Sequence, residues 1–208
     1  MNSIDDFSGA RAIVTDSSIV LENSVVRRVL EKDVDVWRTR LFSRSDGSDE
    51  VEVRSDEFLI LLMNGTRLKI DDYQAQSDPV ARTNHECTLV EITYVLRDRH
   101  VSGAPSSVLV RYILGNKPYI HKVLTLAMVE GQTVDRLEVE RFKTQLPCAI
   151  GGIGQPVFIG DAWFVGFEYT LAATGNEAMG WWFWRTILAN PKRASKVERN
   201  GESGARQR

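Results

Sequence analysis

Apolar and polar residues alternate with a period of two from residue 10 to residue 170, and this pattern limits the possible fold more than any other feature. Successive side chains of a strand point to opposite faces, so the period indicates strands with one buried and one solvated face. Residues 18–23, 24–31 and 35–43 show it early in the chain. Since no long helical pattern separates the strands, the sequence predicts an all-β chain that folds as an antiparallel two-sheet β-sandwich.

Turn signals divide the later strands. Residues 58–63 (FLILLM) are continuously apolar, as in a strand covered on both faces, and Asn64-Gly65 then predicts a tight hairpin into residues 66–70. Four longer strands, at 87–96, 107–114, 119–127 and 133–142, are separated by short turn-forming links and predict an antiparallel meander. In the last strand Arg136, Glu138 and Glu140 share one face, which we expect to be solvated or an interface.

The character of the sequence changes near residue 172, which gives three predicted regions. Residues 1–172 form the β-sandwich, residues 173–189 form a short irregular or helical segment rich in aromatic residues, and residues 190–208 form a disordered basic tail. So small a segment cannot bury its aromatic residues alone. Trp181, Trp182 and Trp184 therefore predict contact with a partner domain or with another copy of the chain.

Composition excludes several classes of function. A formal net charge of −2 gives no reason to expect a nucleic-acid partner. No stretch reaches the roughly 18 apolar residues of a membrane span, and the acidic N-terminal residues are unlike a signal peptide, so we expect a cytoplasmic protein without a membrane partner. Cys87 and Cys148 are expected to be small buried thiols. The histidines are isolated from one another, so neither a metal site nor a cofactor is predicted.

The stretch GGIGQPVFIGDAWFVGFEY, residues 151–169, places five glycines and a proline in the most apolar part of the chain. It predicts a hairpin around Gly160-Asp161, with Trp163 and Phe164 on opposite faces, one in the core and the other available. Asp161 and Glu168 could accept hydroxyl groups of a sugar that stacks on Trp163. They could equally close the turn and form a structural ion pair, because two carboxylates are a weak signal for glycoside chemistry.

A family resemblance rests on VRYILGNKPYIHKVLTL, then GQTVDRLEVERF, then GGIGQPVFIGDAWFVGFEY, preceded by SIVLENSVVRRVLE and VWRTRLF. In this order they resemble the N-terminal β-sandwich domain that precedes the catalytic barrel in multidomain glycoside hydrolases of the α-galactosidase type. The resemblance covers approximately residues 10–172 and implies a supersandwich of the galactose-mutarotase kind. Such enzymes carry their catalytic carboxylates on the barrel, which needs about 200 residues. We therefore expect a truncated or rearranged gene product, or a domain that survives by itself.

Three functions remain open at this point. The first is a non-catalytic sandwich that binds carbohydrate, through Asp161, Trp163 and Glu168, or that packs against another domain or subunit. The second is a small mutarotase-like enzyme in which His121 and Glu168 form the acid and base pair. The third is an interaction module without a ligand, which the sequence cannot separate from the first.

Overall fold

The computed structural model describes residues 9–128, 132–150 and 156–166, together with the strands at 173–177 and 181–185. The first half of the chain forms strands β1 (Arg11–Val14), β2 (Ser18–Glu22), β3 (Val26–Asp33), β4 (Val36–Arg44), β5 (Val51–Glu52), β6 (Arg54–Ser55), β7 (Leu59–Leu62), β8 (Arg67–Lys69), β9 (Tyr73–Ala75) and β10 (Val80–Thr83). The second half forms β11 (Thr88–Leu96), β12 (Ser107–Leu114), β13 (His121–Ala127), β14 (Val134–Glu138), β15 (Arg141–Lys143), β16 (Cys148–Ile150), β17 (Val157–Ile159), β18 (Trp163–Val165), β19 (Ala173–Glu177) and β20 (Trp181–Arg185). Strands predominate among the described residues, whose helical content is limited to the short turn Ile70–Asp72, which confirms the all-β prediction.

Two large antiparallel sheets hold half of the described strands. The first has the order β1-β2-β3-β4-β5, and the second has the order β10-β11-β12-β13 with β9 also paired to β11. Their inner faces contribute to one hydrophobic core, in which Trp37 comes from the first sheet and Tyr94 and Tyr112 come from the second. Phe58 lies in the same core and contacts Tyr94 edge to face, with ring centroids 6.0 Å apart.

Three small sheets complete the described structure, in the orders β14-β7-β8, β19-β20-β15-β6 and β16-β17-β18. The described strands therefore belong to five sheets, which differs from the predicted division into two. One physical reason is that strands break and change partners. The predicted strand at 133–142 is interrupted at Val139-Glu140. Its first part, β14, pairs with β7, whereas its second part, β15, pairs with β6 and β20.

Most predicted strands are present close to their predicted bounds, and the Asn64-Gly65 hairpin is confirmed. The Gly65 N–H donates to the carbonyl of Leu62 at 2.9 Å, and Gly65 has φ +85°, a conformation that glycine adopts without steric cost. The predicted meander is right for β11, β12 and β13 but wrong for the fourth strand, because β14 leaves that sheet and pairs with β7.

The prediction of an irregular or helical segment at residues 173–189 is wrong where the structure describes it. Strand β20 pairs with both β19 and β15. Aromatic residues favour strands, and a ladder on each side satisfies the backbone of β20 without a helix. The predicted tail at 190–208 and the glycines of residues 151–154 lie outside the described residues. No helix of the described chain has the length and apolar character to cross a membrane.

Candidate functional site: an exposed aromatic face and a buried charge cluster

The hairpin of β17 and β18 has its turn at Gly160-Asp161, as the sequence predicts. Gly160 has φ +56° and donates its N–H to the Pro147 carbonyl at 2.8 Å, which ties the turn to the chain before β16. The hairpin alternates strictly, since Val157 and Ile159 are buried in a small core whereas Phe158 between them is exposed. The turn and the alternation together determine which side chains of the hairpin point to solvent.

Trp163 lies on the inner side of the hairpin. Its ring packs against both hydrophobic cores, with its centroid 6.4 Å from that of Phe42, and its indole N–H donates to the Asp49 carbonyl at 2.6 Å. Phe164 is 59% exposed on the outer side. The prediction that one of Trp163 and Phe164 is in the core and the other available is therefore confirmed. Because Trp163 anchors the hairpin, the exposed ring of β18 is that of Phe164.

Phe158 and Phe164 form a cross-strand pair on this outer side. They lie directly opposite each other in the β17–β18 ladder, and Ala149 of β16 lies opposite Phe158. Phe158 is 51% exposed, and Ala149 is exposed as well. We call Ala149, Phe158 and Phe164 the aromatic face. Directly opposed residues have Cβ atoms about 5 Å apart, so the two rings present one continuous apolar surface.

Carboxylates were predicted beside this surface, and the structure describes one of them. Asp161 is exposed in the turn that joins the two strands of the aromatic face. Its position next to the ring-bearing strands suits a hydrogen-bond acceptor for a ligand that lies on the rings. Glu168, the second predicted carboxylate, lies outside the described residues. The side chains of Trp181, Trp182 and Trp184 are also outside the described part of the structure.

A second cluster of chemistry-bearing residues is hidden in the interior. Arg28, Glu57, Lys122 and Glu140, which we call the charge cluster, have side chains that are at most 7% exposed. Arg28 donates to Glu140 at 3.0 Å, and the Lys122 ammonium donates to Glu57 at 2.6 Å and to Glu140 at 3.2 Å. Two cations thus face two anions, and their charges cancel inside the core.

Glu57 accepts hydrogen bonds on both of its carboxylate oxygens. One carboxylate oxygen accepts the Thr39 N–H at 2.5 Å, and the other accepts the Lys122 ammonium and the Tyr112 hydroxyl. Burial alone would raise the pKa of Glu57, but Lys122, Arg28 and these hydrogen bonds hold that pKa well below its usual range. Burial, reinforced by the Glu57 charge, holds the pKa of Tyr112 well above 10. At neutral pH Glu57 is therefore charged and Tyr112 is neutral.

This arrangement is suited to holding the fold rather than to chemistry. Both carboxylate oxygens of Glu57 accept hydrogen bonds from residues of β4, β12 and β13, so the carboxylate is fully bonded within the protein. Buried charges that satisfy one another tolerate no loss of a partner. A general acid or base must instead reach a substrate. We therefore interpret the charge cluster as a structural link between the two large sheets.

The sequence interpretation missed this cluster and assigned part of it to solvent. Glu138 and Glu140 are only 2% and 5% exposed, so, of the two alternatives expected for their face, solvated or an interface, the solvated one is wrong. A signal was present elsewhere in the chain. Arg28 shares its face with the inward residues Val26 and Leu30, and a charge among inward positions of a strand indicates a buried partner of opposite sign.

His121, the histidine of the alternative enzyme reading, lies at the start of β13 and is half-buried. Its ring contacts that of Tyr119 with centroids 4.8 Å apart. Since it pairs with Ile113 in the ladder, it faces away from the core, whereas the neighbouring Lys122 points inward to the charge cluster. Its predicted partner Glu168 is not among the described residues, so the mutarotase-like reading stays a prediction.

Within the described residues, no group of histidine, cysteine and carboxylate side chains could hold a metal ion. The aromatic face is the exposed apolar surface that the β17–β18 hairpin presents to solvent. A scan against models of protein families, a search of curated proteins and a search of solved structures each found no match to this chain.

Proposed function

We propose that this chain is a non-catalytic β-sandwich module that binds carbohydrate through the aromatic face of β16–β18. The observation that carries the proposal is the exposure of Phe158 and Phe164 as an adjacent pair, while the neighbouring Trp163 is partly buried and bonded to the Asp49 carbonyl. Burying a phenylalanine side chain contributes about 1.5–3 kcal/mol. A ligand that covers the two half-exposed rings would therefore gain part of this free energy on binding.

The chemistry of the surface fits a saccharide. One face of a pyranose ring carries C–H groups and packs on an aromatic ring, whereas its rim carries hydroxyl groups that need acceptors. The phenylalanine pair supplies the stacking surface, and Asp161 at the adjacent turn supplies a carboxylate acceptor. Ligand binding of this kind needs no acid and base pair. The resemblance to domains of glycoside hydrolases favours the same class of ligand.

We also propose a supersandwich arrangement for the whole module. The two large sheets would be its layers and the small sheets would extend them, since both large sheets line one core. The charge cluster supports this proposal, because it links residues from the first sheet to residues from the second. An experimentally determined structure of the full chain tests it, and separately packed sheets would contradict it.

A titration with saccharides tests the binding function. We expect galactosides, glucosides or their polymers to shift the NMR signals of the β16–β18 amides and of the Trp163 indole N–H, which lies under the face. Replacing both Phe158 and Phe164 with alanine should abolish these shifts, and Asp161→Asn should weaken binding about tenfold or more. Tyr119→Ala, which removes an exposed ring from the link between β12 and β13, is the matched control and should bind normally.

Two results would overturn the proposal. One is wild-type protein whose β16–β18 signals respond to none of these sugars. The other is a response that survives in the double alanine variant, because the ligand would then bind away from the aromatic face.

A further inference from the structure

The second large sheet has an outer face whose composition is unusual for a solvated surface. Alternation places every second residue of each strand on this side, and the ladder registers align these residues across four strands. The members of this outer face are Val80, Arg82, Leu89, Glu91, Thr93, Val95, Ser107, Leu109, Arg111, Ile113, His121, Val123, Thr125 and Ala127. Most of them are apolar or small, and the intervening residues such as Val90 and Val110 fill the core instead.

These side chains remain accessible in the single chain. Val80 is 43% exposed and Val123 is 41% exposed, and the positions between them are partly exposed. The outer face of the first large sheet differs, since it carries the ion pairs Arg11–Glu22 and Arg27–Glu22 beside its apolar residues. Such interspersed charges are the ordinary pattern for a surface that stays in water. The outer face of the second sheet carries one such pair, Glu91–Arg111, and most of its other residues are apolar or small, which gives it the character of an interface.

The arrangement of residues on this face is self-complementary. Glu91 of β11 and Arg111 of β12 are directly opposed near its middle and bonded at 2.7 Å. A two-fold axis parallel to the strands and between β11 and β12 would place Glu91 over Arg111 of a second copy. The same axis would place Leu89 over Ile113 and Thr93 over Leu109. Every contact near the axis then joins opposite charges or two groups that exclude water.

We propose that this outer face is a symmetric dimer interface with a second copy of the chain. Four strands about 4.8 Å apart and about seven residues long give a planar area of roughly 400 Å² per copy. Stable complexes bury about 800 Å² per partner, so the dimer is weak and forms at high protein concentration. Two sheets that pack face to face align within about 30°, which keeps the residues near the axis matched.

Charge reversal tests the geometry of the axis as well as the dimer. The Glu91→Arg variant carries two cations at the centre and the Arg111→Glu variant carries two anions, so each should lose self-association by about tenfold or more. An equimolar mixture of the two variants restores opposite charges across the axis. We expect this mixture to form a heterodimer at least as readily as the wild-type chain forms a homodimer. Sedimentation at several concentrations measures all three cases.

The matched control is Glu22→Arg, which reverses a charge on the outer face of the first sheet and should leave association unchanged. Wild-type protein that stays monomeric at the highest concentrations would overturn the proposal. So would variants that dimerise like the wild type, or a mixture that does not associate although circular dichroism shows both variants folded.

Discussion

The charge cluster and the aromatic face invert the usual distribution of residues between interior and surface. Four charged side chains lie in the core with at most 7% exposure, whereas two phenylalanine rings on the β16–β18 hairpin are more than half exposed. The buried charges and the exposed rings differ in whether they have partners within the chain. The charges are satisfied by one another within the chain, but the rings have only solvent on their outer side among the described residues. The first region therefore serves the fold, and the second is available for binding.

The largest expected effect follows from removing one member of the charge cluster. Glu57→Ala would leave two cations with one anion in the core, and breaking a buried pair costs about 3–5 kcal/mol. Urea unfolding of the two proteins measures this difference. Glu31→Ala is the control, because Glu31 pairs with Arg40 at 3.6 Å on the surface and should change stability by less than about 0.5 kcal/mol. Equal losses in both variants would mean that the cluster is not structural.

The pH dependence of stability tests the same region. The pKa of Glu57 is lower in the folded chain than in the unfolded one, so its contribution is present above the unfolded value of about 4.3. Stability should fall as the pH decreases below that value, because the unfolded state takes up a proton that the native state resists. Thermal unfolding between neutral and acidic pH measures the slope. The slope should be smaller in Glu57→Gln, and an unchanged slope would assign it to other carboxylates.

A smaller effect is expected from Tyr112→Phe, which removes one donor to Glu57 and keeps the ring. A hydrogen bond to a charged group contributes about 1.5–3 kcal/mol, and the other partners of Glu57 remain. Combining this substitution with Glu57→Gln in a double-mutant cycle isolates the pair. Additive losses would show that the two side chains do not interact.

The smallest effect on stability is expected at the aromatic face. Phe158→Ala and Phe164→Ala remove rings that are mostly in solvent, so each should change the free energy of unfolding by about 0.5 kcal/mol or less. Phe142→Ala is the contrasting variant, since Phe142 is 1% exposed and its loss should cost about 3–5 kcal/mol. If Phe164→Ala were as damaging as Phe142→Ala, the ring would belong to the core.

The sequence predicts which residues of a strand share a face better than it predicts which face is buried. Alternation placed Trp163 and Phe164 on opposite sides, and the structure agrees. It also placed Glu138 and Glu140 together, but the burial of Glu140 depends on Arg28 and Lys122, which belong to other strands. Local periodicity carries no information about such partners.

The sheet assignment of strands has the same limit. Turn signals predict hairpins, because the two strands are neighbours in the chain. The pairing of β14 with β7 joins segments about seventy residues apart, and only tertiary packing selects it. The strand character of β20 was missed although β19, one of its two partners, immediately precedes it in the chain; only the other partner, β15, is distant in sequence.

Hydroxyl-radical footprinting read by mass spectrometry tests the inversion most directly, because it compares residues of one type in one protein. We predict that Phe158 and Phe164 are oxidised much faster than Phe58 and Phe142, which are at most 1% exposed. Protection of Phe158 and Phe164 to the level of Phe58 and Phe142 would contradict the exposed aromatic face and the function proposed for it.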